Sequence, residues 1–134
     1  MIITAAGLLV RDNKILLGKR QSDREFYPGV WDMIGGRCEA GETPEKTLVR
    51  ELQEEIGITP TGYKFLIALR DEQTPEEYEY RIYVVFEWVG TPENLQTHEH
   101  SEIAWLTIGE AKILNLAHSR YPELFVTALS LARD

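Results

Sequence analysis

Three glutamates at helical spacing form the pattern in this chain that most directly points to chemistry. Glu51, Glu54 and Glu55 stand at positions i, i+3 and i+4, so on a helix they project within an arc of roughly 100°. Glutamates placed in this way repel one another, and crowding them beside a core costs more unless a cation compensates. Mg²⁺ and Mn²⁺ prefer carboxylate oxygens, water and substrate phosphates as ligands. The pattern therefore predicts a divalent-metal site, the alternative being solvated glutamates on a good helix former.

The segment before these glutamates favours the metal site. Gly35 and Gly36 can bring the backbone close to a ligand. Glu42 lies where a helix dipole favours a carboxylate, and Arg50 can hold a neighbouring carboxylate through a forked hydrogen bond. Because no Gly-Lys-Ser/Thr sequence follows the glycines, this is not a phosphate-binding P-loop. We expect side chains farther along the helix, rather than the loop, to hold the metal.

The helix that carries these acids has recognisable ends. Thr43 suits the N-cap, Pro44 suits the first helical position, and Gly57 suits the C-terminal stop. Between them an apolar stripe recurs at helical spacing and adjoins the arc of carboxylates. We therefore predict that one flank of the helix packs on a sheet and that the acids lie at the edge of that contact. The stripe consists of Leu48, Val49, Leu52 and Ile56.

Strands and further helices surround this helix in the predicted secondary structure. Gly35 and Gly36 are expected to end the third strand, and Thr107 is expected to cap a short helix. Interleaved strands and helices predict an α/β or α+β sandwich with a mixed sheet. We predict strands at 2–10, 15–20, 30–34, 63–69, 80–89 and 103–107, a hairpin turn at 11–14, polar loops at 21–29, 70–79 and 90–101, and helices at 107–114 and 121–133.

Length and composition fit one folded domain that spans residues 1–134. A net charge of −8 disfavours nonspecific binding to nucleic acids and anionic membranes, although a divalent cation can bridge an acidic protein to a polyanion. No apolar run is long enough to span a bilayer, and no secretory signal is recognised. The single cysteine, Cys38, cannot form an internal disulfide. We expect a cytoplasmic protein that binds a small molecule and neither nucleic acid nor membrane.

Residues 36–58 resemble the Nudix box in full. Gly36 is followed after five residues by Glu42, and after seven more by the run Arg-Glu-Leu-Gln-Glu-Glu-Ile-Gly-Ile at 50–58. The resemblance implies the Nudix α/β/α sandwich with a central mixed β-sheet. It also implies hydrolysis of a nucleoside diphosphate linked to another group, with Mg²⁺ as the cofactor and Mn²⁺ as an alternative. Among such substrates the short chain favours a (d)NTP or an oxidised or otherwise modified nucleoside triphosphate, cleaved to NMP and pyrophosphate.

The resemblance also implies roles for individual residues. Glu54 and Glu55 are expected to bind the metal, and Glu51 is expected either to bind it or to act as the base that activates water. The Gly35 carbonyl would complete the metal shell, and Arg50 would orient Glu51. Cations that bridge the phosphates in such a site neutralise charge and align a bound water for attack on phosphorus.

A further acid outside the box often serves as ligand or base in this family. Glu99 is the best candidate, because it lies six residues before Trp105, a spacing similar to the family's. Glu102 is the fallback. His98 and His100 flank Glu99, but two histidines without a cysteine partner only weakly suggest a transition-metal site. We expect them to be loop histidines near the substrate.

The sequence defines the residues that bind the rest of the substrate less sharply. Lys19 and Arg20 end the second predicted strand, and Arg37 lies in the loop around the glycines. These basic residues are candidates for contacts with phosphates or a base edge. Met33 is a candidate for packing on the nucleobase, although such residues in strands more often belong to the hydrophobic core. It lies in the stretch 31–36, which resembles the Trp-x-x-Pro-Gly-Gly of the MutT-like branch except that Ile34 replaces the proline. Further candidates are Tyr27, Trp31, Phe86 and Arg24, the last being equally consistent with an ordinary surface charge.

Other functions stay open at this point. The substrate could instead be ADP-ribose, a nucleotide sugar or a non-nucleotide diphosphate, or the chain could be a Nudix-fold module that senses a nucleotide without cleaving it. The intact acids favour an enzyme, because a binding module has no need for Glu51. The sequence is compatible with a monomer or, through pairing of exposed strand edges, a homodimer.

Overall fold

A mixed β-sheet with helices on both faces positions the residues discussed above. The computed structural model describes residues 1–70 and 77–132, and the chain within these ranges forms seven strands and three helices. The strands are β1 (Ile2–Arg11), β2 (Lys14–Arg20), β3 (Trp31–Asp32), β4 (Ile34–Arg37), β5 (Thr59–Arg70), β6 (Tyr78–Val89) and β7 (His100–Leu106). The helices are α1 (Pro44–Ile56), α2 (Ile108–Ala111) and α3 (Tyr121–Ala132).

Strand β1 is the centre of the sheet. It runs parallel to β6 and antiparallel to β2 and β4. Strand β5 extends the sheet beyond β6, and β3 and β7 pair with β2. The sheet therefore contains both parallel and antiparallel pairs, which confirms the mixed sheet predicted from the order of the elements.

The helices cover opposite faces of this sheet because successive side chains of a strand point to opposite sides. Ala5 and Leu9 of β1 belong to the same buried cluster as Leu52 of α1. Leu8, which points the other way, belongs to a second cluster that contains Phe125 of α3. This arrangement confirms the predicted α/β/α sandwich. Within the described ranges no helix is both long enough and apolar enough to cross a membrane.

Helix α1 begins and ends at the predicted residues. The Thr43 side chain accepts a hydrogen bond from the Lys46 amide at 3.2 Å, and Pro44 is the first helical residue. Gly57 ends the helix in the left-handed conformation, with a φ of 70°, and its amide donates to the Gln53 carbonyl at 3.2 Å. The local capping signals were therefore sufficient to place the helix that carries the three acids.

The prediction that Gly35 and Gly36 end a strand was wrong. Both lie inside β4, where they pair with Ala6 and Ala5 of β1. Met33 instead separates β3 from β4. A side chain at residue 35 would collide with the backbone of Ala5. Glycine is thus needed here for the close approach of two strands and not for a turn.

Several other boundaries differ from the prediction. Strand β5 begins at Thr59 and β7 at His100, each earlier than expected, because pairing with a neighbouring strand extends both beyond their most β-prone residues. Helix α2 ends at Ala111 instead of residue 114. The predicted loop at 70–79 is partly strand, since β5 includes Arg70 and β6 begins at Tyr78. The middle of that loop, 71–76, and the end of the predicted last helix lie outside the described residues.

Candidate functional site

A cavity of about 540 Å³ opens beside α1 and β4. Glu51, Glu54 and Glu55 reach it from α1, and Glu99 reaches it from the loop before β7. These four residues are called the carboxylate cluster below. Gly35 of β4 also lines the cavity. The structure therefore brings together all the residues for which the sequence predicted a metal-binding role.

Glu55 is the most deeply buried member of the carboxylate cluster. The residue is 2% exposed, and within the described residues its Oε2 atom has no hydrogen-bond partner. Burial, together with the negative charges of Glu51, Glu99 and Glu54, raises the pKa of Glu55 to about 9. A carboxyl group in this position is costly as an anion unless a cation lies beside it.

A hard divalent cation fits this arrangement. The unpartnered Oε2 of Glu55 and the neighbouring carboxylates offer the oxygen atoms that Mg²⁺ prefers. In the described part of the chain, no group of three or more His, Cys, Asp or Glu side chains is placed so that it could hold a metal ion by itself. This is compatible with Mg²⁺, which usually keeps several waters and takes only one or two carboxylates besides substrate phosphates.

Glu51 lies between the deep carboxyl group of Glu55 and the basic side chain of Arg50. Burial raises the pKa of Glu51, whereas a hydrogen bond with Glu55 and the charge of Arg50 oppose this shift. Arg50 Nη1 donates to Glu51 Oε1 at 3.0 Å, as predicted from the sequence. A side chain on Gly36 would collide with the Glu51 carboxylate. Glycine at position 36 thus leaves room for the Glu51 carboxylate beside β4.

Arg50 makes its forked hydrogen bond to Glu42 instead of Glu51. Its Nε donates to Glu42 Oε2 at 2.8 Å, and its Nη2 donates to Glu42 Oε1 at 3.0 Å and to the Arg37 carbonyl at 3.1 Å. Thr47 also donates to Glu42 Oε1, at 2.6 Å. The hydrogen bonds from Arg50 and Thr47 lower the pKa of Glu42 to about 2. Arg50 therefore ties the segment before α1 to Glu51 and to β4.

Glu99 forms an ion pair with Arg24, which links the loop before β7 to the loop before β3. Arg24, which the sequence left undecided between a functional and a surface role, lines the cavity. Glu102, the fallback acid, lies in β7 opposite Lys19 of β2 and does not line the cavity. The geometry therefore favours Glu99 over Glu102 as the further acid of the site.

His98 and His100 both line the cavity, but only His98 is a loop residue. His100 begins β7 and is 4% exposed. Its Nδ1 lies 4.0 Å from Glu55 Oε1. Burial lowers the pKa of His100 to about 4, so its ring is neutral at physiological pH. The burial of His100 beside Glu55 could not be predicted from the sequence, because it depends on pairing between β7 and β2.

The three residues predicted to bind the rest of the substrate all line the cavity. Arg20 Nη2 donates to the Phe26 carbonyl at 2.9 Å, which fixes the loop before β3. Arg37 Nη2 donates to Tyr78 Oη at 2.6 Å. Met33 is 4% exposed and belongs to the buried cluster beneath α3, so it forms both core and cavity wall.

Sequence reasoning missed part of the cavity wall. Tyr78 and Tyr80, with ring centroids 6.5 Å apart, line it from β6. Asp32 of β3 lines it as well. In contrast, Trp31 and Phe86, which were candidates for stacking on a base, pack against the buried cluster beneath α3. The missed residues come from strands whose sequence showed only β-propensity.

Most of the chain is similar to known proteins of one family. The sequence model of the NUDIX domain matches residues 1–125. A CTP pyrophosphohydrolase of Escherichia coli (strain K12) is 36% identical over 126 residues, which cover 92% of this chain and 89% of that protein. An 8-oxo-dGTP diphosphatase of the same strain is 33% identical over 88 residues, which cover 66% of this chain and 68% of that protein.

Solved structures agree with these sequence matches. A MutT NUDIX hydrolase from Burkholderia pseudomallei superimposes with a TM-score of 0.81 at 25% identity, covering 96% of this chain and 95% of that one. The solution structure of the E. coli ORF135 protein gives a TM-score of 0.79 at 33% identity, covering 99% and 93% of the two chains. The chain therefore belongs to the Nudix family and is a hydrolase of that family.

Proposed function

We propose that this protein hydrolyses nucleoside triphosphates, including modified or oxidised ones, to NMP and pyrophosphate in a Mg²⁺-dependent reaction. The observation that carries the proposal is the carboxylate cluster at the cavity, with Glu55 buried and its Oε2 unpartnered in the described part of the chain. The CTP pyrophosphohydrolase and the 8-oxo-dGTP diphosphatase to which the chain is similar support nucleoside triphosphates as the substrate class.

The carboxylate cluster and the Gly35 carbonyl would hold Mg²⁺, with Mn²⁺ as an alternative. When bound, the cation supplies charge neutralisation at the phosphates and lowers the pKa of a bound water. Glu51, whose carboxylate Arg50 orients through the 3.0 Å hydrogen bond, serves as a ligand or as the base that takes a proton from the attacking water. Glu99 is the second candidate for that base.

The remaining cavity residues bind the nucleotide. Arg20 and Arg37 are the basic groups available to phosphates or to the base edge, and Met33 offers an apolar surface to the base. We infer that residues 1–134 act as one domain, in the cytoplasm, on small-molecule nucleotides. Nucleic acids and anionic membranes are disfavoured as partners, because a protein with a net charge of −8 repels polyanions unless a divalent cation bridges the two. The domain could act as a monomer or a homodimer.

The test is a hydrolysis screen with and without Mg²⁺. The panel contains (d)NTPs, oxidised nucleotides, nucleotide sugars, ADP-ribose and non-nucleotide diphosphates, and both pyrophosphate and orthophosphate are measured. Glu55→Gln is assayed in parallel, with Glu93→Gln as the matched control because Glu93 is exposed and lies outside the cavity. We expect pyrophosphate release from triphosphates that depends on Mg²⁺, is abolished in Glu55→Gln and is unchanged in Glu93→Gln.

Other outcomes would change the assignment in defined ways. Full activity in Glu55→Gln, with an unchanged circular dichroism spectrum, would remove Glu55 from the metal site. Turnover confined to ADP-ribose, nucleotide sugars or non-nucleotide diphosphates would replace triphosphates as the substrate class. Tight nucleotide binding by calorimetry without hydrolysis of any panel member would indicate a sensor module.

A further inference from the structure

An ion pair in the cavity wall joins a predicted metal ligand to an arginine that the proposed hydrolysis does not use. Arg24 Nη1 donates to Glu99 Oε2, and both residues line the cavity. The side chain of Arg24 is 31% exposed and that of Glu99 is 30% exposed. The pair is therefore neither buried in the core nor fully solvated, and a ligand in the cavity can reach both partners.

The two loops that carry this pair are also joined by hydrogen bonds that do not involve it. The Gln21 amide donates to the Glu99 carbonyl at 3.1 Å, and Gln21 Nε2 donates to the Thr97 carbonyl at 2.7 Å. The loop before β7 is further tied to α1, because the Leu95 amide donates to the Glu55 carbonyl at 3.0 Å. The side chains of Arg24 and Glu99 can therefore separate while the loops stay together.

Arg24 brings positive charge to the carboxylate cluster. The charge of Glu99 is felt at Glu55, since it is one of the causes that raise the pKa of Glu55. Three arginines line the cavity. Arg20 donates to loop carbonyls and Arg37 to a tyrosine hydroxyl, whereas Arg24 donates to a member of the carboxylate cluster. Arg24 thus offsets part of the negative charge that a cation would otherwise neutralise.

The guanidinium of Arg24 and a divalent cation would compete for the same carboxylate. Two positive charges beside Glu99 repel each other, and the doubly charged ion attracts a carboxylate more strongly than a guanidinium does. Partly exposed ion pairs contribute little to stability, so opening this pair costs the protein little. Once released, the guanidinium has the forked geometry that suits phosphate.

We propose that Arg24 is a tethered counter-ion that exchanges partners when the site is loaded. In the metal-free protein it pairs with Glu99, and in the loaded protein it leaves Glu99 to the divalent cation and binds the phosphates of the substrate. This inference rests on the proposed function, because it takes Glu99 as a metal ligand and a nucleotide as the substrate. It adds a residue that links metal binding to phosphate binding.

The metal half of the exchange is tested by a double-mutant cycle in the absence of nucleotide. Calorimetry gives the Kd of Mn²⁺ for the wild type, Arg24→Gln, Glu99→Gln and the variant with both changes. Arg24→Gln should bind Mn²⁺ about 2- to 10-fold more tightly than the wild type, because no guanidinium has to be displaced. In the Glu99→Gln background the same change should have a clearly smaller effect, since the cycle isolates the interaction between the two side chains.

The phosphate half is tested with inorganic tripolyphosphate, added as its Mn²⁺ complex to the Mn²⁺-saturated protein. Arg24→Gln should bind this probe about 3- to 10-fold more weakly, because a charge-assisted contact is lost. Arg24→Lys keeps the charge without the fork and should shift both affinities in the same directions by less. Arg120→Gln is the matched control, because Arg120 also pairs with a glutamate but does not line the cavity. It should leave both affinities as in the wild type.

Opposite changes in the two affinities distinguish the exchange from a structural role, because a disordered loop would weaken both. Unchanged or weaker Mn²⁺ binding in Arg24→Gln would overturn the inference. Equal tightening with and without Glu99 would also overturn it, since this would be a general effect of charge. Unchanged binding of tripolyphosphate would do the same, and a wild type that binds no Mn²⁺ would remove the metal site along with the inference.

Neither binding measurement requires turnover, so the inference and the proposed function can fail separately. If the wild type hydrolyses no triphosphate but both affinities shift as expected, the proposed function fails and the exchange by Arg24 stands. If the wild type hydrolyses triphosphates and Arg24→Gln leaves both affinities unchanged, the inference alone fails.

Discussion

Replacing the buried acid Glu55 by glutamine should make the metal-free protein more stable at alkaline pH. In the folded protein burial and neighbouring carboxylates raise the pKa of Glu55 to about 9, whereas its ordinary value is 4.5. The folded state therefore holds a proton that the unfolded chain releases, and it loses stability as the pH rises from the lower value to the higher one. Glu55→Gln removes this effect because glutamine carries no charge and its amide can still donate to Glu51.

The size of the effect follows from the shift in pKa. Each pH unit inside this window costs the folded wild type at most about 1.4 kcal/mol. Between about pH 5 and about pH 8 the ceiling is therefore about 4 kcal/mol. Relaxation around Glu55 and redistribution of the proton within the carboxylate cluster reduce this loss of stability. At the higher pH we therefore expect the free energy of unfolding of Glu55→Gln to exceed that of the wild type by about 2 kcal/mol. At the lower pH the two proteins should be equally stable.

Urea unfolding at the two pH values, in the presence of a chelator, measures this difference directly. Glu93→Gln is the control, because the same change at an exposed residue should follow the wild type. Mg²⁺ should make the wild type the more stable of the two proteins. A ligand present at about 100 times its Kd adds about 2.7 kcal/mol to the free energy of unfolding of the protein that binds it. Parallel pH profiles for wild type and Glu55→Gln would refute the reasoning, because Glu55 would then be ionised and solvated in the folded protein.

Three further substitutions test individual contacts. Arg50→Lys should lower kcat by about 10- to 100-fold, because lysine lacks the fork that binds Glu42; unchanged kcat would contradict this role. Gly57→Ala should lower the free energy of unfolding by about 1–2 kcal/mol, because Gly57 has a positive φ. The control is Gly109→Ala within α2, which should cause no such loss. If urea unfolding shows equal losses for the two variants, the positive φ of Gly57 is not the cause. Thr107→Ala should cost about 1 kcal/mol, measured in the same way, through loss of the capping box of α2.

Helix α1 and its acids could be predicted because their determinants are local. Thr43, Pro44 and Gly57 act on the backbone within one turn of the helix. The spacing of the three acids then places them on one side without any tertiary information. The strands could be predicted in outline for the same reason, since a run of β-prone residues such as 2–10 is a local signal.

Features that depend on distant pairing could not be predicted. The pair Gly35-Gly36 is a common turn signal, and only its register against β1 shows that it is strand. His100 is buried because β7 pairs with β2. Asp32 and Tyr121 are 89 residues apart in the chain, and neither lies in a pattern that suggests the other. Their contact exists only because α3 covers the face of the sheet opposite to α1.

One short segment, residues 31–37, lines the cavity with residues from two strands. Its first strand presents Asp32 to α3, and its second presents Gly36 to the Glu51 carboxylate of α1. Hydrolysis requires the reacting groups to be held closely in place, so this segment must be rigid. The MutT-like pattern has proline at position 34, where this chain has Ile34, which is fully buried in the same cluster as Leu52 of α1. Packing against α1, together with pairing to β1 and β2, therefore supplies the rigidity that a proline ring would otherwise provide.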